Sequence, residues 1–166
     1  MIYIEELKEP VSQKEQSKIG RRLLLRGLQI EYGLSMLPEI SFGKYGKPYF
    51  KDYPDIHFNI SHCDKGVACI ISDHPVGIDI ECINPFDKEL AEYISSPEEL
   101  ETILKNSCPP IAFTILWTKK ESFCKLTGYG LDNRKSIQEI LINNPSYFQT
   151  IINEAGGYVL TSCSYI

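Results

Sequence analysis

The chain has 166 residues, is 43% hydrophobic and carries a net charge of −5 at pH 7. That length suits one domain, or two small halves sharing a core, and the composition excludes wholesale disorder. No apolar run approaches the roughly 18 residues a membrane span needs, and the acidic balance argues against a general nucleic-acid binder, which carries a basic excess.

The first residues, Met1-Ile2-Tyr3-Ile4-Glu5-Glu6, read as a short strand. They lack the basic and apolar regions of a signal peptide. Ser12 followed by Glu15 has capping-box spacing and opens a helix expected to run to about Tyr32 and stop at Gly33. One side of that helix carries Lys14, Lys18, Arg21, Arg22 and Arg26. The plain reading is a solvated face; the sharper one is an anionic partner. Residues 43–48 are a loop punctuated by glycine and proline, residues 58–62 are extended, and residues 66–71 form a compact apolar run expected as a buried strand. Residues 72–75 have turn chemistry, and residues 76–81 alternate apolar and acidic at period two, so the two runs are expected to pair as an antiparallel hairpin.

From Asp87 the pattern turns helical, with Ser96-Pro97-Glu98-Glu99 as an N-terminal signature and Pro109-Pro110 opening a longer helix that ends near Gly128 or Gly130. Residues 137–142, 148–152 and 158–165 read as strands separated by Asn-Pro and Gly-Gly turns. Helices in blocks between hairpin strands favour an α+β fold. The linker at residues 83–86 suggests a seam between lobes spanning residues 1–83 and 84–166. Six cysteines without a Cys-x-x-Cys pair fit no usual zinc spacing and no disulfide framework, so reduced thiols in a cytoplasm are expected.

Four motifs carry chemistry. Asp79 and Glu81, at i and i+2 of a strand, project to one face about 7 Å apart, while Ile78 and Ile80 face the core. Two carboxylates so close repel, and a hard divalent cation relieves the repulsion; magnesium takes one or two carboxylates with phosphate and water oxygens. An amphipathic strand showing acids to solvent is the alternative. Glu121 and Lys125 in Trp117-Thr118-Lys119-Lys120-Glu121-Ser122-Phe123-Cys124-Lys125 lie one helical turn apart. They are either a surface ion pair or a proton acceptor and charge neutraliser for phosphoryl chemistry, with Trp117 and Phe123 read as core. Gly46-Lys47-Pro48 holds a lysine in a stiff turn, suited to a phosphate contact, without the spacing of a Walker loop. Asn59-Ile60-Ser61-His62 places a hydroxyl and an imidazole at a strand end, where they can donate to phosphate oxygens. Its glycosylation reading lacks a secretory signal.

In this order and spacing, residues 44–131 resemble the Sfp-type branch of the 4′-phosphopantetheinyl transferases. The resemblance implies two related lobes, each an antiparallel sheet packed on helices, with coenzyme A across the seam. It implies transfer of 4′-phosphopantetheine from coenzyme A to a serine of an acyl or peptidyl carrier protein, releasing 3′,5′-ADP, by a monomer. By the same resemblance Asp79, Glu81 and Glu121 hold magnesium, a Lewis acid and template. Glu121 is a candidate base for the carrier serine, and Lys125 attends the departing phosphate. Lys47, Pro48, Asn59, Ser61 and His62 fall where the coenzyme binds, with Arg21 and Arg22 as stand-ins for the basic residues that hold its 3′-phosphate. Two other readings stay open: a magnesium-dependent nucleotide or pyrophosphate hydrolase, and a catalytically silent module that binds coenzyme or carrier.

Overall fold

The computed structural model describes residues 1–129, 134–144 and 146–166. Gly130, Leu131 and Pro145, which figured in the expected helix end, resemblance and turn, lie outside them. The fold is α+β: β1 (Ile2–Glu6), α1 (Gln13–Tyr32), β2 (Ile40–Phe42), β3 (Pro48–Phe50), β4 (His57–Cys63), β5 (Gly66–Ser72), β6 (Val76–Cys82), α2 (Lys88–Ile94), α3 (Pro97–Lys105), α4 (Pro109–Thr127), α5 (Arg134–Glu139), β7 (Ser146–Asn153) and β8 (Tyr158–Tyr165). Among the described residues no helix is long and apolar enough to cross a membrane.

The helix ends follow the capping chemistry in the sequence. Ser12 accepts from Glu15 N at the start of α1, and Gly33 closes it at φ 68°. Ser96 and Glu99 form a complete capping box on α3, and Gly128 ends α4 in the left-handed region. Residues 137–142, expected as a strand, instead overlap α5 and the turn after it. Apolar residues at 137, 140 and 141 fit a helical face as well as a strand, and Ile140 and Leu141 pack beside Phe123 and Leu126 of α4.

Two three-stranded antiparallel sheets, ordered β1-β5-β4 and β6-β8-β7, make the frame, with β2-β3 a separate hairpin. β5 and β6 do not pair, so the expected hairpin does not form. Both edges of β5 are occupied, by β1 and by β4, and β6 pairs with β8 from Val76↔Ser164 to Cys82↔Tyr158. The turn at residues 72–75 therefore passes the chain from one sheet to the other.

α1 covers one face of the first sheet through Ile19, Leu23, Leu24 and Leu28 against Tyr3, Phe58, Val67, Cys69 and Ile71. The other face, with Ala68 and Ile70, packs on Val76, Ile78, Ile80 and Leu160 of the second sheet. α4 lies on the far face of the second sheet, where Phe123 and Leu126 meet Cys163.

Candidate active site

Along β6, residues 77, 79 and 81 share the face turned to α4, while Ile78 and Ile80 are fully buried against the first sheet. Gly77 sets the approach. A Cβ there would stand 2.0 Å from Ser122 O and 2.5 Å from Leu126 N, so the helix backbone presses on the strand where a side chain is missing. On α4, Trp117, Glu121 and Lys125 form a single stripe one turn apart. The two rows run side by side. Lys125 Nζ donates to Asp79 Oδ1 at 2.7 Å, and Trp117 Nε1 donates to Glu81 Oε1 at 3.4 Å. Glu121 lies on the stripe between them.

The other edge of β6, left free by β8, is taken by side chains of β4. Asn59 Oδ1 accepts from Ile78 N and Ser61 Oγ accepts from Ile80 N, both at 3.3 Å. Ser61 also donates to Asp79 Oδ1 at 2.8 Å and accepts from Lys125 Nζ at 2.8 Å. A strand, a neighbouring strand and a helix thus meet at one buried carboxylate.

Asp79 is 2% exposed, and its second oxygen, Oδ2, is buried without a hydrogen-bond partner among the described residues. An orphaned carboxylate oxygen is costly in a core unless something positive joins it. Burial, then the charge of Asp79, pushes the Glu81 carboxyl up to about 7. Burial and Asp79 also raise Glu121, against the opposing pull of Lys125. Three carboxylates share a region with one ammonium, a donor set suited to a hard cation. As they stand the acids are not closed around one point: among the described residues no three acidic, histidine or cysteine side chains are grouped to hold an ion.

Glu121 and Lys125 open into a cavity of about 320 Å³ lined also by Tyr45, Lys47, Pro48, Asn59 and Tyr129. Glu81 opens into a second cavity of about 310 Å³ with Trp117, Phe113 and Asn84. Asp79 lies between them, lining neither, so no single cavity takes in all three acids among the described residues.

The remaining sequence candidates divide. Lys47 reaches this region, yet its ammonium is spent on backbone: it donates to Leu126 O at the C-terminal end of α4 and to Val76 O at 3.4 Å. That is a favourable place for a cation, where helix carbonyls lack partners. His62 is exposed on the face of β4 opposite Ser61, because neighbours on a strand point apart. Arg21 is exposed on α1, and Arg22 holds both oxygens of Glu5 at 2.6 and 2.7 Å; neither lines the cavities that hold Glu81, Glu121 or Lys125. The surface ion pair open to Glu121 and Lys125 does not form, since Lys125 turns to Asp79. Trp117, expected in the core, is half-buried beside Glu81, whereas Phe123 is core.

Sequence reasoning passed over Gly77, whose signal was a glycine two residues before a buried acid on a strand. It also passed over Tyr45 and Tyr129, whose rings stand 5.0 Å apart beside Lys47; nothing in their local sequence marks them.

Residues 75–162 match the family model described as the 4′-phosphopantetheinyl transferase superfamily. The chain is 39% identical over 117 residues to a 4′-phosphopantetheinyl transferase of Bacillus subtilis, an overlap covering 68% of this chain and 52% of the relative. It is 50% identical over 91 residues to the transferase gsp of Aneurinibacillus migulanus, covering 53% and 37%. Against the transferase Sfp of Bacillus subtilis strain 168 it is 35% identical over 136 residues, covering 73% and 60%. The chain thus spans about half the length of the curated relatives it matches.

Proposed function

Because the chain belongs to the 4′-phosphopantetheinyl transferase superfamily, on its Sfp-like branch, we propose that it transfers 4′-phosphopantetheine from coenzyme A to a serine hydroxyl of an acyl or peptidyl carrier protein. The product is the holo-carrier and the leaving group is 3′,5′-ADP. The observation that carries this reading is the meeting of Asp79, Glu121 and Lys125 beside a cavity that also holds Lys47 and Pro48.

Magnesium fits the donor set: all-oxygen ligands, burial and then the charge of Asp79 that raise Glu81 and Glu121, and the Oδ2 of Asp79, unpartnered among the described residues. Asp79, Glu81 and Glu121 would hold it, and when bound it would offset the charge of the coenzyme's diphosphate. The protein groups then do the rest. Glu121, held above its ordinary range, accepts the proton of the carrier serine as its oxygen attacks the β-phosphorus. Lys125 stabilises the phosphate that departs as the phosphorus–oxygen bond to 3′,5′-ADP breaks. Lys47, Pro48 and Asn59 line the space where the coenzyme lies across the seam between the two lobes. Six free cysteines suit a reducing compartment, so we place the protein in the cytoplasm; the monomer follows from the two-lobed resemblance alone.

The test is incorporation of labelled phosphopantetheine from coenzyme A into a panel of apo-carrier proteins, with and without magnesium. Label on the carrier that depends on magnesium is expected. Absence of label across fatty-acid, polyketide and peptide carriers would overturn the function. Release of ADP or phosphate with no carrier present would move the reading to hydrolysis.

A further inference from the structure

The mechanism gives no role to Lys120, the residue of the α4 motif just before Glu121. Lys120 is 0% exposed, and its ammonium has three acceptors for three protons: Ile94 O at 2.8 Å, Glu99 Oε2 at 2.7 Å and Ile137 O at 2.8 Å. Each acceptor belongs to a different helix. Ile94 is the last residue of α2 and Ile137 lies in the final turn of α5, so both offer carbonyls with no intrahelical partner. Glu99 is the capping-box residue of α3, and the same Oε2 accepts from Ser96 N at 2.8 Å. Gln138 adds a second tie between α5 and α2, donating to Glu92 O and Tyr93 O.

Lys120 immediately precedes Glu121, about 100° away around the helix. On the opposite flank of the stripe Ser122 backs onto Gly77, and Thr118 meets Thr161 of β8 at 2.8 Å. α4 is therefore gripped from both sides, by the second sheet and by the three short helices. Apolar packing by Phe123 and Leu126 holds only part of α4, since four of its seven buried residues are Thr114, Thr118, Lys120 and Ser122.

We propose that Lys120 is a positioning residue of the transfer site, converging α2, α3 and α5 on α4 so that Glu121 is held toward Asp79 and Glu81. This rests on the transferase reading above. Lys120 touches no reacting atom and acts through Glu121.

The test compares Lys120→Met with wild type in carrier labelling, with kcat expressed per folded molecule from circular dichroism. It also measures the affinity of the acid trio for Mn2+ by water proton relaxation. A residue that only stabilises the fold lowers the folded fraction and leaves both quantities unchanged. Positioning predicts that kcat per folded molecule falls at least roughly 10-fold, coenzyme A KM moves less than about 3-fold, and Mn2+ binds roughly 10-fold more weakly. Unchanged kcat and Mn2+ affinity in folded Lys120→Met would overturn it. If that variant does not fold, Glu99→Gln decides, because glutamine keeps the capping box while removing the charge that holds the ammonium. A kcat loss of roughly 3-fold or more supports the inference, and wild-type kcat overturns it. Wild-type protein that binds Mn2+ yet labels no carrier would sink the function and leave positioning to the Mn2+ measurement alone. Wild type that does neither overturns both.

Discussion

Each of the two sheets carries one long helix, and the two helix–sheet contacts are built from opposite materials. α1 buries Ile19, Leu23, Leu24 and Leu28 against an apolar sheet face, with Gly20 and Gly27 letting the helix settle close. α4, of nearly the same length, buries Thr114, Thr118, Lys120 and Ser122 with Phe123 and Leu126, over a strand that presents Asp79 and Glu81. Apolar burial near 25 cal/mol per Å² makes the first contact a source of stability. The second keeps polar groups out of water, which costs stability unless each finds a partner. One contact holds the molecule together; the other holds charges where chemistry can use them.

That division predicts mutations that separate stability from transfer. Glu121→Gln should have the largest effect, lowering carrier labelling by about 10³-fold, near 4 kcal/mol of transition-state free energy. Its Tm should be unchanged or higher, because burial and Asp79 already oppose ionisation of that carboxyl. Labelling within tenfold of wild type would remove Glu121 from the mechanism. Leu24→Ala, at a fully buried site on α1, should show the reverse pattern: about 3 kcal/mol of stability lost in urea unfolding, with kcat per folded molecule unchanged. If Leu24→Ala lowers kcat per folded molecule tenfold, the two contacts are not independent and the comparison breaks.

Glycines at the two helix contacts sharpen it. An alanine Cβ at Gly77 would meet backbone, Ser122 O at 2.0 Å, and relief requires α4 itself to move. At Gly27 it would meet side chains, Ile71 Cδ1 at 2.4 Å and Tyr3 Cε2 at 2.6 Å, which can turn aside. Gly77→Ala should cost about 3 kcal/mol and Gly27→Ala about 1–2 kcal/mol. Transfer per folded molecule should fall only for Gly77→Ala, since only there does the helix carrying Glu121 shift. Equal loss of transfer in both variants would mean that the Gly77 approach does not set the site.

Much of this was legible beforehand because its signals are local. The ends of α1, α3 and α4 follow from Ser12, Ser96, Gly33 and Gly128, whose side chains or missing side chains satisfy the helix termini nearby. The i, i+2 spacing of Asp79 and Glu81 and the i, i+4 spacing of Glu121 and Lys125 put each pair on one face. What failed was pairing at a distance. Nothing in residues 66–81 says that both edges of β5 are already taken, so adjacency in sequence does not become adjacency in the sheet. The roles of Asn59 and Ser61 were hidden for the same reason. They bond the free edge of β6, and that edge exists only because β8 arrives from the far end of the chain. Lys47 likewise had its ammonium expected on phosphate, while the carbonyl it meets belongs to a helix 79 residues further on.

The smallest expected effect tests the claim that the α4 contact gives up stability to hold charge. Glu81 is raised from 4.5 to about 7 by burial and by Asp79, so between those values the folded chain binds a proton more tightly than the unfolded one. The ionised carboxylate therefore costs stability, in full above about pH 7 and not at all below about pH 4.5. Discounted for its partial exposure, the cost at pH 8 is about 1–2 kcal/mol. Glu81→Gln should accordingly be more stable than wild type by that amount at pH 8 without divalent cations, with the advantage vanishing by about pH 4.5 in urea titrations. Saturating magnesium should erase the advantage at pH 8 by stabilising the wild-type carboxylate and not the amide. A variant whose advantage persists at low pH, or is indifferent to magnesium, would mean that Glu81 is held by packing and that its charge has no part in the site.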